Sequence, residues 1–314
     1  MSENTDKRPS LTSSKEMTFP EKDDKEMASP LQTLTKDEKA FLDIKAEAAK
    51  LQQVYIEDPK QNSFNLLLLG ESGSGKTSLC ATARAPIHFD SFDPGGTKAL
   101  MEDVKKGRII VDSRWESEDP TKPTIPKASG APGFEWAFTV WKAEFERRLK
   151  MGYFNHIGTY VLDSSTTWAM AVMNSILAKA NIPGQAPRFT HDYTPQKIEM
   201  INMIKKMLDL PCDFILTGHL ESDKDEVSGR IKYKYMTTGK AEVTIPLQFD
   251  EIWTCVAEQK GMKDIDYRVL TAKNGAYPGA TRIGKGKFET FETPDIKYLL
   301  KKAGRDYSDK PLLR

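Results

Sequence analysis

The sequence predicts an α/β protein with a mainly parallel sheet flanked by helices and an antiparallel β extension in its C-terminal part. Three observations carry this. From Ser63 to Thr217, apolar runs of strand length alternate with longer segments of helical periodicity. The first run, Leu66–Leu69, opens directly into a glycine-rich loop and then a helix. Beyond His219 the pattern changes to alternating residues separated by turns.

Residues 1–34 are rich in Ser, Thr, Lys, Glu and Asp and almost devoid of apolar side chains, so a disordered tail is expected. Thr35–Glu38 (TKDE) has capping-box spacing, and Phe41, Ile44, Ala48, Leu51 and Tyr55 recur at helical intervals. An amphipathic helix is therefore expected over Lys36–Ile56, packed on the core or on a neighbouring subunit. The core is expected over residues 63–290. After the first strand and its helix, which ends before Pro86, Pro86–Phe89 reads as a second strand and Asp90–Gly96 (DSFDPGG) as a turn-rich loop. Arg108–Val111 is a third strand and Thr121–Gly133, rich in Pro and Gly, a surface loop. Phe134–Met151 is a helix whose stripe of Phe134, Phe138, Trp141, Phe145 and Leu149 reads as core. Gly158–Leu162 is a strand ending at Asp163, followed by a helix over Thr166–Ala180, a loop over Asn181–Tyr193, a helix over Thr194–Leu210 and a buried strand over Cys212–Thr217. Glu221–Gly229 is charged and expected to be mobile. Arg230–Tyr235 alternates as a strand, with Ala241–Ile245 expected to pair back on it as a hairpin after the Thr238-Gly239 turn. Phe249–Val256 and Tyr267–Ala272 are further strands, Asn274–Lys287 a glycine-rich basic loop, and residues 291–314 a last helix (Pro294–Ala303) and tail.

Composition narrows the function classes. The 314 residues carry a net charge of +1, so any contact with nucleic acid must use local patches. The three cysteines, Cys80, Cys212 and Cys255, lie far apart without a C-x-x-C pair, which argues against a disulfide framework or zinc site and for a reducing, cytoplasmic setting. No apolar run approaches membrane-spanning length, so no membrane partner is expected.

The chemistry is concentrated in Gly70–Thr77 (GESGSGKT), which fits G-x-x-x-x-G-K-[ST]. Gly70, Gly73 and Gly75 let successive backbone N–H groups point at one anion. Lys76 supplies a mobile cation for the β- and γ-phosphates, and the Thr77 hydroxyl a ligand for Mg2+. With Glu71, Ser72, Ser74 and Ser78 these residues are the candidate nucleotide-binding set. Asp163, at the end of an apolar strand expected beside the first one, is the candidate second Mg2+ residue. The expected cofactors are ATP and Mg2+; no N-K-x-D guanine signature is present, which favours ATP over GTP.

Several strings resemble the RecA family. In TYVLDSSTTW, Asp163 is followed by Ser164 where many ATPases carry a glutamate base, as in RecA-type proteins whose base comes from elsewhere. CDFILTGH resembles the RecA-type strand whose last polar residue senses the γ-phosphate, with His219 at that position. TAKNGAYPGATR resembles the segment whose basic residues reach a neighbour's ATP. The order of GHLESDKDE, Gly239-Lys240 and Phe249-Asp250-Glu251 is similar to that of phage ATPases, shortened RecA-like proteins linked to single-strand annealing. The resemblance covers Ser63–Lys287 and implies a RecA-like P-loop ATPase, a homo-oligomer acting on single-stranded DNA. It implies Glu116 or Glu118 as the base that activates water, with Asp93 as a rival, and Lys273 or Arg282 as a charge donated to an adjacent subunit. It also implies two DNA-facing loops, Asn181–His191 and Leu220–Lys232. Arg188, Lys224, Arg230, Lys232 and Lys234 would meet phosphates there, and Tyr233 or Phe189 would stack on bases, against the opposing charge of Asp223, Asp225 and Glu226. Two other classes remain open: a nucleotide-dependent assembly protein with little turnover, and a small-molecule kinase, against which the absence of an arginine-rich lid after Asp163 counts.

Overall fold

The structure is a computed structural model that describes residues 35–58, 61–116, 136–224, 226, 229–261 and 264–313. The expected tail over 1–34, the loop over 121–133, Phe134, Glu118 and Asp225 lie outside the described residues. The chain divides into two units, Met1–Val54 and Tyr55–Arg314. The described part of the first is helix α1 (Lys36–Glu57, its last residues falling in the second unit), closed at its start by the predicted box: the Glu38 carboxylate accepts from the Thr35 amide at 2.7 Å, and the Glu38 amide donates to Thr35 Oγ1 at 3.3 Å. None of its residues is buried.

The second unit is built on strands β1 (Asn65–Gly70), β2 (Ile87–Ser91), β3 (Ile109–Asp112), β4 (Thr159–Asp163) and β5 (Asp213–Gly218), with helices α2 (Lys76–Cys80), α3 (Met101–Lys105), α4 (Trp136–Lys150), α5 (Ser165–Lys179) and α6 (Tyr193–Leu208) between them. A hairpin of β6 (Leu220–Lys224) and β7 (Ile231–Tyr235), helix α7 (Ala241–Thr244), strands β8 (Glu251–Lys260), β9 (Asp264–Leu270), β10 (Ala280–Thr281) and β11 (Phe291–Glu292), and helix α8 (Ile296–Ala303) follow. The main sheet runs β11-β9-β8-β1-β5-β4-β2-β3, with β10 on β8. The pairs from β8 across to β3 are parallel, and β9, β10 and β11 join antiparallel.

Strand β1 is central and covered on both faces, which is why its sequence is a continuous apolar run. Leu67 and Leu69 pack with α4–α6 residues such as Trp141, Trp168 and Met203, whereas Leu66 and Leu68 pack with Leu79 of α2 and Leu299 of α8. All four leucines are fully buried, each contributing about 1.5–3 kcal/mol. The α4 stripe is core at Phe138, Trp141 and Phe145, while Leu149 remains exposed.

Two expectations about the C-terminal part are corrected. The partner of β7 is β6, not Ala241–Ile245, so Glu221–Lys224 belongs to a strand. Opposite charges face each other across the ladder, Glu221 with Lys234 and Asp223 with Lys232, and this pairing holds a segment whose charge suggested mobility. Ala241–Thr244 is helical because its burial has a period near four: Ala241 and Ile245 are buried and Val243 between them is 62% exposed. Strands β8, β9 and β11 extend the parallel sheet from its β1 edge, β8 pairing in parallel with β1 and the others joining antiparallel.

The last described residues strap the amino-terminal ends of the strands. Asp309 accepts from the Ala85 amide at 2.7 Å and the Lys310 amide donates to the Ala85 carbonyl at 2.8 Å. Arg84 joins buried Asp213 of β5 to Asp306 at 2.5 and 2.8 Å. No described helix is long and apolar enough to cross a membrane.

Candidate nucleotide site

Strand β1 ends at Gly70, and the chain turns through Gly73 (φ 76°) and Gly75 (φ 89°) into α2. Both positive φ values are open to glycine at little cost. Gly75 has a second constraint, since a Cβ there would lie 3.2 Å from the Tyr267 ring. The helix is shorter than its sequence suggests, a single turn and a half followed by turns, so an anion bound here would take its donors mainly from the loop amides. Lys76 is buried, and its ammonium donates to the carbonyls of Gly70 and Glu71 at 3.0 and 2.9 Å, folded back over the loop. Burial lowers its pKa from the ordinary lysine value, against the pull of Asp163 and Asp93.

Asp163 does not sit on the neighbour of β1, as its sequence position suggested. Strand β5 lies between, and the carboxylate reaches across it. Thr77 Oγ1 donates to Asp163 Oδ2 at 2.9 Å, and Thr217 Oγ1, from the intervening strand, donates to Oδ1 at 2.5 Å. Burial raises the Asp163 pKa despite both hydroxyls. Lys76, Thr77 and Asp163 thus form one cluster.

Ser72–Leu79, Thr82, Asp93, Gly96, Ala99, His219, Cys255, Tyr267, Arg268 and Pro294 line a pocket of about 660 Å3 above this cluster. Asp93 follows β2, the strand that pairs with β4. Its Oδ1 accepts from Ser164 Oγ at 2.8 Å and Thr167 Oγ1 at 2.5 Å, and its Oδ2 lies 3.8 Å from His219 Nε2. The amide of His219 donates to Thr166 Oγ1 at 3.3 Å, and Nδ1 lies at the same distance from that oxygen. Burial, and then the charge of Lys76, lower the His219 pKa. Glu116 does not line the pocket: its carboxylate accepts from Ser91 Oγ at 2.7 Å and the Gly95 amide at 3.0 Å. Lys273 is exposed after β9. Arg282 lies at the opposite end of the sheet from Gly70, its amide donating to Glu251 at 2.6 Å and its guanidinium to Asp250 at 3.1 Å. Sequence reasoning missed Tyr267, Arg268, Thr217 and Thr167. Tyr267 and Arg268 arrive on an antiparallel strand that carries no motif of its own.

The DNA candidates divide. Arg188 is tied by its amide and guanidinium to Asp192 at 2.6–3.0 Å, and Lys234 to Asp223 at 2.5 Å. Lys224 and Lys232 lie on β6 and β7, and Arg230 just before β7. Phe189 is 86% exposed, whereas Tyr233 is already stacked on Tyr277, with centroids 4.3 Å apart. The loop after α5 and the base of the hairpin meet: Gly184, Gln185, Pro187, Glu221 and Met236–Thr238 line one groove of about 510 Å3 along α5, with Thr166 at one end.

The strand–loop–helix, the buried lysine, the Thr77–Asp163 pair and the sheet order define a P-loop domain of RecA-like fold. The chain belongs to the AAA-domain family, whose profile matches residues 62–282. Comparison with curated protein sequences gave no match. Among solved structures, the assembled ATPase EscN in complex with its central stalk EscO, from the type III secretion system of enteropathogenic E. coli, is similar over 65% of this chain and 45% of its own, at 14% identity and TM-score 0.37. A prototypical type III secretion ATPase of pathogenic bacteria is similar over 62% of this chain and 52% of its own, at 16% identity and TM-score 0.34. The RadB recombinase is similar over 66% of this chain and 87% of its own, at 11% identity and TM-score 0.34. The chain thus spans about half the length of the two secretion ATPases.

Proposed function

We propose that the protein is an Mg2+-dependent ATPase that works as a homo-oligomer on single-stranded DNA, in phage recombination or replication in the host cytoplasm. The observation that carries the nucleotide chemistry is the 2.9 Å contact between Thr77 and Asp163 beside the buried ammonium of Lys76. Two convergent hard oxygens fit Mg2+, which takes part of its shell from protein and the rest from water and phosphate. Bound there, the ion would neutralise charge developing on the β- and γ-phosphate oxygens. The loop amides and Lys76 hold the phosphates, and Lys76 exchanges its two carbonyl partners for phosphate oxygens. Asp93, the carboxylate that lines the pocket, accepts the proton of the attacking water. His219, largely neutral because of burial and Lys76, reads the γ-phosphate from the end of β5. Lys273 or Arg282, neither of which lines its own chain's pocket, is assigned to a neighbouring subunit's nucleotide.

The DNA reading is supported by the meeting of the two loops on one groove whose end, Thr166, bonds His219 of the nucleotide pocket. The similarity of GHLESDKDE to the phage proteins supports the setting. The test is ATP turnover with and without single-stranded DNA. Wild type is expected to be stimulated by DNA, and Lys76→Ala to lose turnover by at least ~100-fold while keeping its fold. Unchanged turnover in Lys76→Ala defeats the site; ATP-dependent assembly without turnover or DNA stimulation favours the assembly-protein reading.

A further inference from the structure

Glu116 is an acidic residue near the nucleotide pocket that the proposed chemistry does not use. It ends a short 3-10 turn, Arg114–Glu116, in which each residue holds a different part of the sheet. Arg114 is bidentate to Asp112 at the end of β3, at 2.8 and 2.7 Å. The Trp115 indole is buried and donates to Asp90 on β2 at 3.0 Å. With the two preceding residues fixed, the Glu116 carboxylate is presented to the loop after β2 and spans it: one oxygen accepts from Ser91 Oγ, the other from the Gly95 amide.

Asp93 lies between those two anchor points. Its own carbonyl is the acceptor for the Gly96 amide at 3.1 Å, and its amide and that of Phe92 donate to the Asp163 carbonyl at 3.3 and 2.6 Å. The loop is therefore gripped from two sides, by β4 at Asp163 and by Glu116 at Ser91 and Gly95. The first grip sets the distance from Asp93 to the metal-binding carboxylate. The second closes the loop, so that the Asp93 side chain stays directed at Ser164, Thr167 and the pocket.

We infer that Glu116 is a positioning residue for turnover, holding the Ser91–Gly95 loop so that Asp93 faces the attacking water. The inference rests on the function proposed above, with Asp93 as base. Loss of this grip lets the Asp93 carboxylate drift by a fraction of its reach while the phosphate loop, anchored elsewhere, stays in place. The cost falls on kcat and leaves nucleotide binding alone.

The experiment is a double-mutant cycle on the full chain with Mg2+ and ATP, read as kcat and KM, together with hydrogen–deuterium exchange of the 91–97 segment without nucleotide. Glu116→Ala is expected to lower kcat by about 10- to 100-fold with KM within about twofold. Glu116→Gln, which keeps an acceptor oxygen for the loop, should recover most of that loss. Asp93→Asn should lower kcat by ~100-fold or more, and adding Glu116→Ala to it should change nothing further. Exchange in the 91–97 segment should speed up in Glu116→Ala. Independent, multiplicative losses in the double variant, or Glu116→Gln as inactive as Glu116→Ala, would mean that Glu116 acts by its own charge and would overturn the inference. Full kcat in Glu116→Ala with Asp93→Asn inactive removes the inference but leaves Asp93 as base, whereas full turnover in Asp93→Asn removes both. Unchanged exchange in Glu116→Ala overturns the grip whatever the turnover.

Discussion

The Asp163 carboxylate is nearly inaccessible and its pKa is raised by burial. A proton and Mg2+ would compete for the same oxygens, so acidification toward that raised value must weaken metal-dependent nucleotide binding. The dissociation constant for Mg2+-ATP is expected to rise on acidification toward that value, and this dependence should flatten in Asp163→Asn; titration of a fluorescent ATP analogue over a pH series checks it. Lys76, Thr77 and Asp163 were legible because each belongs to a local string whose chemistry is read without the fold. Asp93 was legible only as a rival, because its partners Ser164, Thr167 and His219 come from two other strands' ends. Glu118 lies outside the described residues.

Among the elements, β2 is fixed by an unusual interior. Asp90 is fully buried, and its carboxylate accepts from Trp115, Trp141, Tyr160 and Arg148 at 2.7–3.1 Å, with His88 Nε2 at 3.1 Å. Burial opposes ionisation, but the charges of His88 and Arg148 and the hydrogen bonds from His88 and Tyr160 outweigh it and hold the pKa well below the carboxylate range. The sign follows: this stabilisation is complete above the unfolded value near ~4 and is lost as pH falls below it toward the depressed folded value. Asp90→Ala leaves several buried donors unpaired and should cost about 3–5 kcal/mol at neutral pH, measured by denaturant unfolding. A run of HFDS at a strand end does not reveal this, since the tryptophans and arginine arrive from positions 25 to 58 residues away. The hairpin failed to read for a related reason. The residues that pair with β7 are charged, and their charge is cancelled across the ladder in a way that only the register shows.

For the whole molecule, a net charge of +1 means that the DNA binding proposed above would have to rest on local cations and not on bulk charge. A strand held by about four phosphate contacts should show a log-affinity slope against log salt of roughly −3. Fluorescence anisotropy over a salt series checks this, and a flat response would exclude the phosphate contacts. The alternation of strand and helix, with the glycine loop at its start, made the layered plan legible in advance. The parallel seat of β8 beside β1 was not, because direction relative to a distant strand leaves no trace in a five-residue apolar pattern.

The strap at Ala85 satisfies both groups of one peptide residue, its amide through Asp309 and its carbonyl through Lys310. The joint that follows α2 is therefore closed from 224 positions further along the chain. Asp309→Ala would leave the Ala85 amide without its acceptor, so this joint should loosen ahead of the rest of the sheet, and amide exchange at Ala85 should speed up before exchange along β1 does.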